Sequence, residues 1–270
     1  WSAQMVESPV AARRLPVPGS PVEVLAPHPV ITSAYADASQ KRTFLNAIFD
    51  QTAGDYDRVE RWLSLGTGTW YRRTALARAG LKRGMSVVDV ATGTGLVAEG
   101  ALRLIGPIPP ARLVGVDPSA EMMRRARERL GIQTEAATAE ALPFADSSFD
   151  FLSMGYALRH VEDVGGAFRE FHRVLAPGGR VCILEITRPR TRLGRALLRV
   201  YLGTLSRTVG LFGRLAPRTP ELWAYYWETI DKCLPPQEVL HALSSAGFVQ
   251  VERRVFGGIF SEYTCVKAGR

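Results

Sequence analysis

The run Val87-Val88-Asp89-Val90-Ala91-Thr92-Gly93-Thr94-Gly95 constrains this chain more than any other segment. Its short apolar start, with three valines, reads as a buried strand. It ends in a glycine-containing turn, where backbone can approach a ligand with no Cβ in the way. Leu113–Val116, Phe149–Met154 and Val181–Ile186 are further apolar runs, and the stretches about 95–105, 119–130 and 163–176 are helical in pattern. Buried strands alternating with helices predict a parallel sheet with helices on both faces. Ligands in such sheets bind beyond the carboxyl ends of the strands, so the turn after Val90 is the first candidate site. A tight turn holding no ligand is the plain alternative.

The flanking segments read differently. Residues 1–40 carry Pro9, Pro16, Pro18, Pro21, Pro27 and Pro29 among small residues and keep no amphipathic period, which predicts a mostly irregular arm. From Lys41, the residues Phe44, Leu45, Ile48 and Phe49 recur at helical spacing. A second helical stretch covers about 56–80 and holds Tyr56, Trp62, Leu63, Trp70 and Leu76, with a break near Gly66 and Gly68. Pro177-Gly178-Gly179 is a turn feeding the Val181 strand. Residues 190–230 are mainly helical, and Pro236–Ala246 forms another helix closed by Gly247. Val249–Val255 and Ile259–Val266 read as a final strand pair joined through Gly257-Gly258. A length of 270 residues fits one large domain with a small cap.

The 46% hydrophobic and 22% charged content excludes a disordered, collagenous or membrane-embedded chain. The net charge of +8 invites a nucleic-acid or membrane-surface reading. Its location narrows that reading. Arg188, Arg190, Arg192, Arg195, Arg199, Arg207, Arg214 and Arg218 lie in one stretch with no lysine and no acid, and the remaining 26 basic residues balance 26 acidic ones. No aromatic-rich RNA platform accompanies them, and the base-methylase signature Asn/Asp-Pro-Pro-Tyr/Phe is absent after the fourth strand. A nucleic-acid partner is therefore not expected; it would require salt-sensitive polynucleotide binding. Cys182, Cys233 and Cys265 are far apart and odd in number, which argues against a disulfide framework and for a cytoplasmic protein. His28, His160, His172 and His241 show no ligand spacing, so no metal is expected. No apolar run approaches the 18 or so residues needed to span a bilayer. The N-terminus makes a poor signal peptide, and because the chain begins with Trp1, Met5 could be a native start.

Asp117 ends the second strand of the alternation, 22 residues after Gly95. A carboxylate there can accept hydrogen bonds from both hydroxyls of a ribose. A helix N-cap formed by Asp117-Pro118-Ser119 is the alternative. The stretch from Ala91 to Leu96 does not complete G-x-G-x-x-G, which disfavours NAD or FAD.

The Asp89–Gly95 turn resembles motif I of class I S-adenosylmethionine-dependent methyltransferases. Gly115-Val116-Asp117, the stretch from Ala139 to Phe144, Ser148-Phe149-Asp150 and the stretch from Arg173 to Arg180 resemble their other motifs. Within that superfamily the chain is most similar to the C-methyltransferases of ubiquinone and menaquinone biosynthesis. Tyr56-Asp57, Ser64 and Gly66 match the family's upstream motif, and Ala157-Leu158-Arg159 its segment after the fourth strand. Leu184-Glu185-Ile186 precedes the lid, and Pro236-Gln237-Glu238, Ala246-Gly247-Phe248 and Gly257-Gly258-Ile259 follow it. The resemblance covers about 43–268. It implies a Rossmann-like fold with a seven-stranded, mostly parallel sheet, and S-adenosylmethionine as cofactor. The implied organisation is an arm over 1–40, helices over 41–80 that contribute to the acceptor site, a cofactor-binding core over 81–187, a basic helical lid over 188–235, and a closing helix and strand pair over 236–270.

The resemblance also implies roles. Thr94, with the backbone of Gly93 and Gly95, lines the methionine portion, and Asp117 holds the ribose. Thr138 and Ala139 border the adenine, and Gly155 lies beside the sulfonium. Asp89 and Pro118 join this cofactor set. For the acceptor, a small aromatic quinol, naphthol or phenol is implied, methylated on carbon; O- or N-methylation and a non-methylating cofactor binder stay open. Carbon becomes nucleophilic when a ring hydroxyl loses its proton, which calls for a base or a cation. Arg159, His160 and Tyr56 are the candidates, against plain readings as a helix-end arginine, a packed histidine and a core tyrosine. Tyr156, Trp223, Tyr226 and Trp227 are candidate acceptor contacts, the last three at a spacing that equally suits core. The arginines of 188–218 alternate with Leu193, Leu197, Leu198, Tyr201 and Leu202, as in an amphipathic cap that could approach an anionic membrane. A homodimer is one option for the oligomeric state.

Overall fold

A computed structural model describes residues 6–7, 24–63, 66–106, 113–189, 191–211 and 219–269; within these, the side chains at 6–7, 55–56, 58–59, 61–63, 205–211, 219–220 and 223 lie outside the description. The strands are β1 (Val6–Glu7), β2 (Val87–Val90), β3 (Leu113–Val116), β4 (Gln133–Glu135), β5 (Phe149–Gly155), β6 (Leu175–Ile186), β7 (Phe248–Phe256) and β8 (Phe260–Lys267). They form one sheet in the order β1-β7-β8-β6-β5-β2-β3-β4. From β6 to β4 every pair is parallel, while β8 runs antiparallel to β6 and β7. The chain winds outward from β2 through β3 to β4, then returns to β5 on the other side. That reversal opens a crevice between β2 and β5 at their carboxyl ends.

The helices are α1 (Lys41–Leu63), α2 (Gly68–Arg78), α3 (Leu96–Ile105), α4 (Ala120–Leu130), α5 (Val164–Val174), α6 (Arg192–Leu211), α7 (Thr219–Lys232) and α8 (Pro236–Ser245). Residues Val88 and Val90 of β2 face a core shared with α5 and α8, and Val87 faces one shared with α2 and α3. This is the two-residue period of a strand buried on both sides. Helix α5 shows how such a layer forms. Asp163 caps it by accepting from Gly165 N at 3.0 Å, and Val164, Ala167, Phe168, Phe171 and Val174 recur on one buried face. Removing each phenylalanine from water contributes roughly 1.5–3 kcal/mol. A third core joins Ile31 and Tyr35 to Leu45 and Ile48 of α1, Leu198 and Leu202 of α6, and Tyr225 and Ile230 of α7.

Four sequence expectations need correction. Helix α1 is continuous where two separate stretches were expected, because 50–55 contains no proline to stop it and the single Gly54 is carried within the helix. Strand β4 escaped detection because Gln133-Thr134-Glu135 is a polar, mostly exposed sheet edge. Strand β6 begins at Leu175, where its pairing with Phe149 starts, before the Pro177-Gly178-Gly179 segment. The arm is irregular in backbone from Val24 but anchored: Leu25 N donates to Asp163 Oδ1 at 3.0 Å, and Leu234 N to Pro27 O at 2.8 Å. Its β1 adds an eighth, two-residue strand to the seven expected. Among the described residues no helix is long and apolar enough to cross a membrane.

Candidate active site

A cavity of about 510 Å³ opens at the carboxyl ends of β2, β3, β5 and β6 and is roofed by α1, α6 and α7. Its two halves are built differently. In the cofactor half the turn after β2 is locked from below by Asp89. That carboxylate is fully buried and accepts from Thr92 Oγ1 at 2.7 Å and Ser153 Oγ at 2.6 Å. Burial raises its pKa to about 6, against the lowering effect of those two hydroxyls. Asp117, at the end of β3, accepts from Gly93 N at 2.8 Å and Ser119 N at 2.9 Å. Burial likewise raises its pKa to about 6, opposed by those two backbone donors. The N-cap of α4 is Ser119, which accepts from Met122 N, so Asp117 is left to face the cavity. Ala91 and Tyr156 follow β2 and β5 with φ of 53° and 60°. Such left-handed non-glycine residues cost roughly 1–3 kcal/mol each and cluster at ligand sites.

Helix α1 reaches into this half twice. Thr94 Oγ1 donates to Asp57, and Ser119 Oγ donates to Asp50. The acceptor half is apolar with a basic wall. Leu45, Phe49, Leu198, Leu202, Tyr226 and Ile230 line it. Arg159 and His160 sit on a single 3-10 turn, Leu158–His160, just beyond β5. The Arg159 guanidinium is fully buried, pairs with Glu185 at the end of β6, and lies 4.7 Å over the Tyr226 ring. His160 packs edge-on to Phe49 and stacks near Tyr225 and Tyr226 at 5.7 and 5.8 Å. Both its ring nitrogens are shielded from water and have no hydrogen-bond partner among the described residues. Burial, with the neighbouring Arg159 charge, holds its pKa well below the usual value, so the ring is neutral at pH 7.

Gly93, Thr94, Asp117, Pro118, Thr138, Ala139 and Gly155 all line the cavity, as do Tyr156, Arg159, His160 and Tyr226. Three expected contacts fall elsewhere. Asp89 lies beneath the turn, its oxygens taken by Thr92 and Ser153. Gly95 caps α3 with φ +86°, and a Cβ there would meet Leu130 Cδ1 at 2.6 Å, so it is a packing residue of the turn. Trp227 packs into the third core and does not line the cavity. Tyr56 and Trp223 stand on α1 and α7, but their side chains lie outside the described residues. Sequence reading missed Lys41 and the Glu60–Arg72 ion pair, all of which line the cavity. A signal existed for Lys41: it shares the 41, 45, 49 face of α1 with Leu45 and Phe49.

The chain winding, the turn with Asp117 beyond it, and the space at Gly93, where a Cβ would meet nothing within 4 Å, fit a nucleoside-bearing methyl donor. The protein is a class I S-adenosylmethionine-dependent methyltransferase. Its fold is that of a S-adenosylmethionine-dependent methyltransferase from Thermotoga maritima, described as a possible histamine N-methyltransferase, with a TM-score of 0.58 at 22% identity over 82% of this chain and 98% of that one. The chain belongs to the ubiE/COQ5 methyltransferase family, which matches residues 36–267. It is 33% identical over 239 residues to the ubiquinone/menaquinone biosynthesis C-methyltransferase UbiE of Hahella chejuensis, covering 85% of this chain and 94% of that protein. To the demethylmenaquinone methyltransferase of Roseiflexus castenholzii it is 33% identical over 242 residues, covering 88% and 99%.

Proposed function

We propose that this enzyme methylates a ring carbon of a small aromatic acceptor of quinol, naphthol or phenol type, with His160 as the base and Arg159 stabilising the ionised ring oxygen. The observation that carries the reading is His160: a neutral, half-buried imidazole on the cavity wall, with neither nitrogen hydrogen-bonded among the described residues. S-adenosylmethionine, when bound, supplies a methyl group activated by its positive sulfur. His160 takes the hydroxyl proton, which turns the ring carbon beside the oxygen into a nucleophile. Arg159 is held in place by Glu185 and Tyr226, so its charge needs no reorganisation as the oxyanion forms. The apolar walls set by Phe49, Leu198 and Leu202 keep the ring in line and exclude water, and positioning of this kind can lower a barrier by roughly 7–11 kcal/mol. The ring carbon then gives up its hydrogen as a proton and aromaticity returns. A turnover screen of hydroquinones, naphthols and phenols, read by product NMR, tests this. A new aryl C–CH3 signal is expected; a methoxy product instead would overturn it.

The outer face of α6 favours a location at a membrane surface. Leu193, Leu197 and Val200 are 70%, 62% and 65% exposed on one side of the helix, and Arg192 and Arg199 flank them. Tyr201 continues the strip to the cavity rim, where Trp70 is also exposed. An exposed apolar strip edged by arginines suits the headgroup boundary of an anionic bilayer. Co-sedimentation with anionic vesicles at low salt, lost in the triple variant Leu193→Ser, Leu197→Ser, Val200→Ser, is the expected result. No co-sedimentation of the unaltered protein would end the idea.

A further inference from the structure

Lys41 is a buried basic group on the acceptor wall that the proposed chemistry does not yet use. It opens α1, is only 7% exposed, and lines the cavity. Its Nζ donates to the Val161 carbonyl at 2.7 Å, the residue directly after the turn that carries Arg159 and His160. The other buried cations of the cavity have carboxylate partners: Arg159 pairs with Glu185 and Arg72 with Glu60. Lys41 has no such ion pair among the described residues. The carboxylates in its surroundings are Glu140 and Glu162, and the Glu140 side chain already accepts from Glu162 N at 2.6 Å and Asp163 N at 3.2 Å. On its other sides stand Cys233 and His28, whose Nδ1 engages the Pro29 carbonyl. A buried ammonium bonded to one carbonyl keeps two donor hydrogens in hand and lacks a close counter-charge, which is costly unless a ligand supplies one.

We infer that Lys41 is the counter-ion of the acceptor, its Nζ binding the ionised oxygen of the ring on the wall shared with His160. This rests on the aromatic acceptor proposed above and adds the group that selects the ionised form. It also shares out the duties of the wall: His160 removes a proton, Arg159 stabilises the oxyanion from the place where Glu185 holds it, and Lys41, with no ion pair among the described residues, binds that oxygen directly. Burial lowers the Lys41 pKa to about 8, opposed by Glu140, Glu162 and Cys233. The ammonium is therefore present below about pH 8 and is lost above it, taking anion affinity with it.

The test uses the full chain with S-adenosylhomocysteine bound and 4-nitro-1-naphthol as probe, because its phenol and phenolate absorb at different wavelengths. The unaltered protein is expected to bind the probe as phenolate. Lys41→Met should weaken that binding roughly ten- to a hundredfold, the range of one charge-assisted hydrogen bond, with S-adenosylhomocysteine affinity unchanged. Lys41→Arg should keep phenolate binding and move its alkaline limit from about pH 8 to higher pH. If Lys41→Met binds the phenolate as tightly as the unaltered protein, the Lys41 assignment falls and the acceptor proposal stands. If the unaltered protein binds the naphthol only in its neutral form, the assignment also falls. If it binds no naphthol in either form, the acceptor proposal falls and takes this one with it.

Discussion

The two halves of the cavity hold their ligands by different means. The cofactor half is made of strand ends and turns, with Asp89 holding the Thr92 and Ser153 hydroxyls and Asp117 the Gly93 backbone. Its contacts come from short segments at fixed places in the sheet. The acceptor half is made of side chains from α1, α6, α7 and the Leu158–His160 turn, brought together from over 180 residues of chain. Its polar groups are buried cations and a neutral imidazole among apolar residues. A turn held by the carboxylates of Asp89 and Asp117 tolerates little change at those positions; a wall of packed side chains can change its shape residue by residue. The first half therefore suits a constant donor and the second a particular acceptor.

This contrast can be broken by experiment. The largest effect is expected from Arg159→Ala, which strands Glu185 in the core and should cost roughly 3–5 kcal/mol in urea unfolding. The double change Arg159→Met, Glu185→Leu should recover most of that loss, since it leaves no buried charge unpaired. His160→Ala should lower turnover by about a hundredfold or more while S-adenosylhomocysteine affinity, read by calorimetry, stays within about twofold. Equal losses in both quantities would show that the halves are not independent. Asp117→Ala should do the reverse and weaken S-adenosylhomocysteine roughly ten- to a hundredfold. The smallest effect is in pH. Only the ionised Asp117 accepts from both ribose hydroxyls with the help of its charge, and its pKa in the free protein is about 6, so affinity should rise by up to about tenfold from pH 5 to pH 7. The same raised carboxyls, Asp89 and Asp117, make the ligand-free protein lose stability as pH rises from about 4 to about 6.

What the sequence discloses follows the same line. The strands β2, β3 and β5, the cofactor turn and Asp117 are legible because each depends on residues adjacent in the chain: an apolar run, a glycine pair, a carboxylate at a strand end. Strand β4 is not legible, since three polar residues at an edge carry no apolar signal. Asp89 and Gly95 lie in the right motif, yet support the turn from beneath and behind, and only three dimensions separate support from contact. Arg159 reads as a helix-end arginine or a catalytic one until Glu185 appears beside it from β6. Trp227 and Tyr226 are neighbours in sequence that both pack into the third core, yet only Tyr226 also reaches the cavity wall, because a helix turns about 100° between them.

Helix α1 belongs to both halves at once. It sends Asp50 and Asp57 to the loops of the donor side, and Lys41, Leu45 and Phe49 to the wall of the acceptor side. Whatever one ligand does to the placement of that helix, the other ligand meets. Such a link is a free energy, and a free energy has no direction: the factor by which the donor changes acceptor affinity is the factor by which the acceptor changes donor affinity. A single rod of 23 residues thus makes the two occupancies terms of one equilibrium.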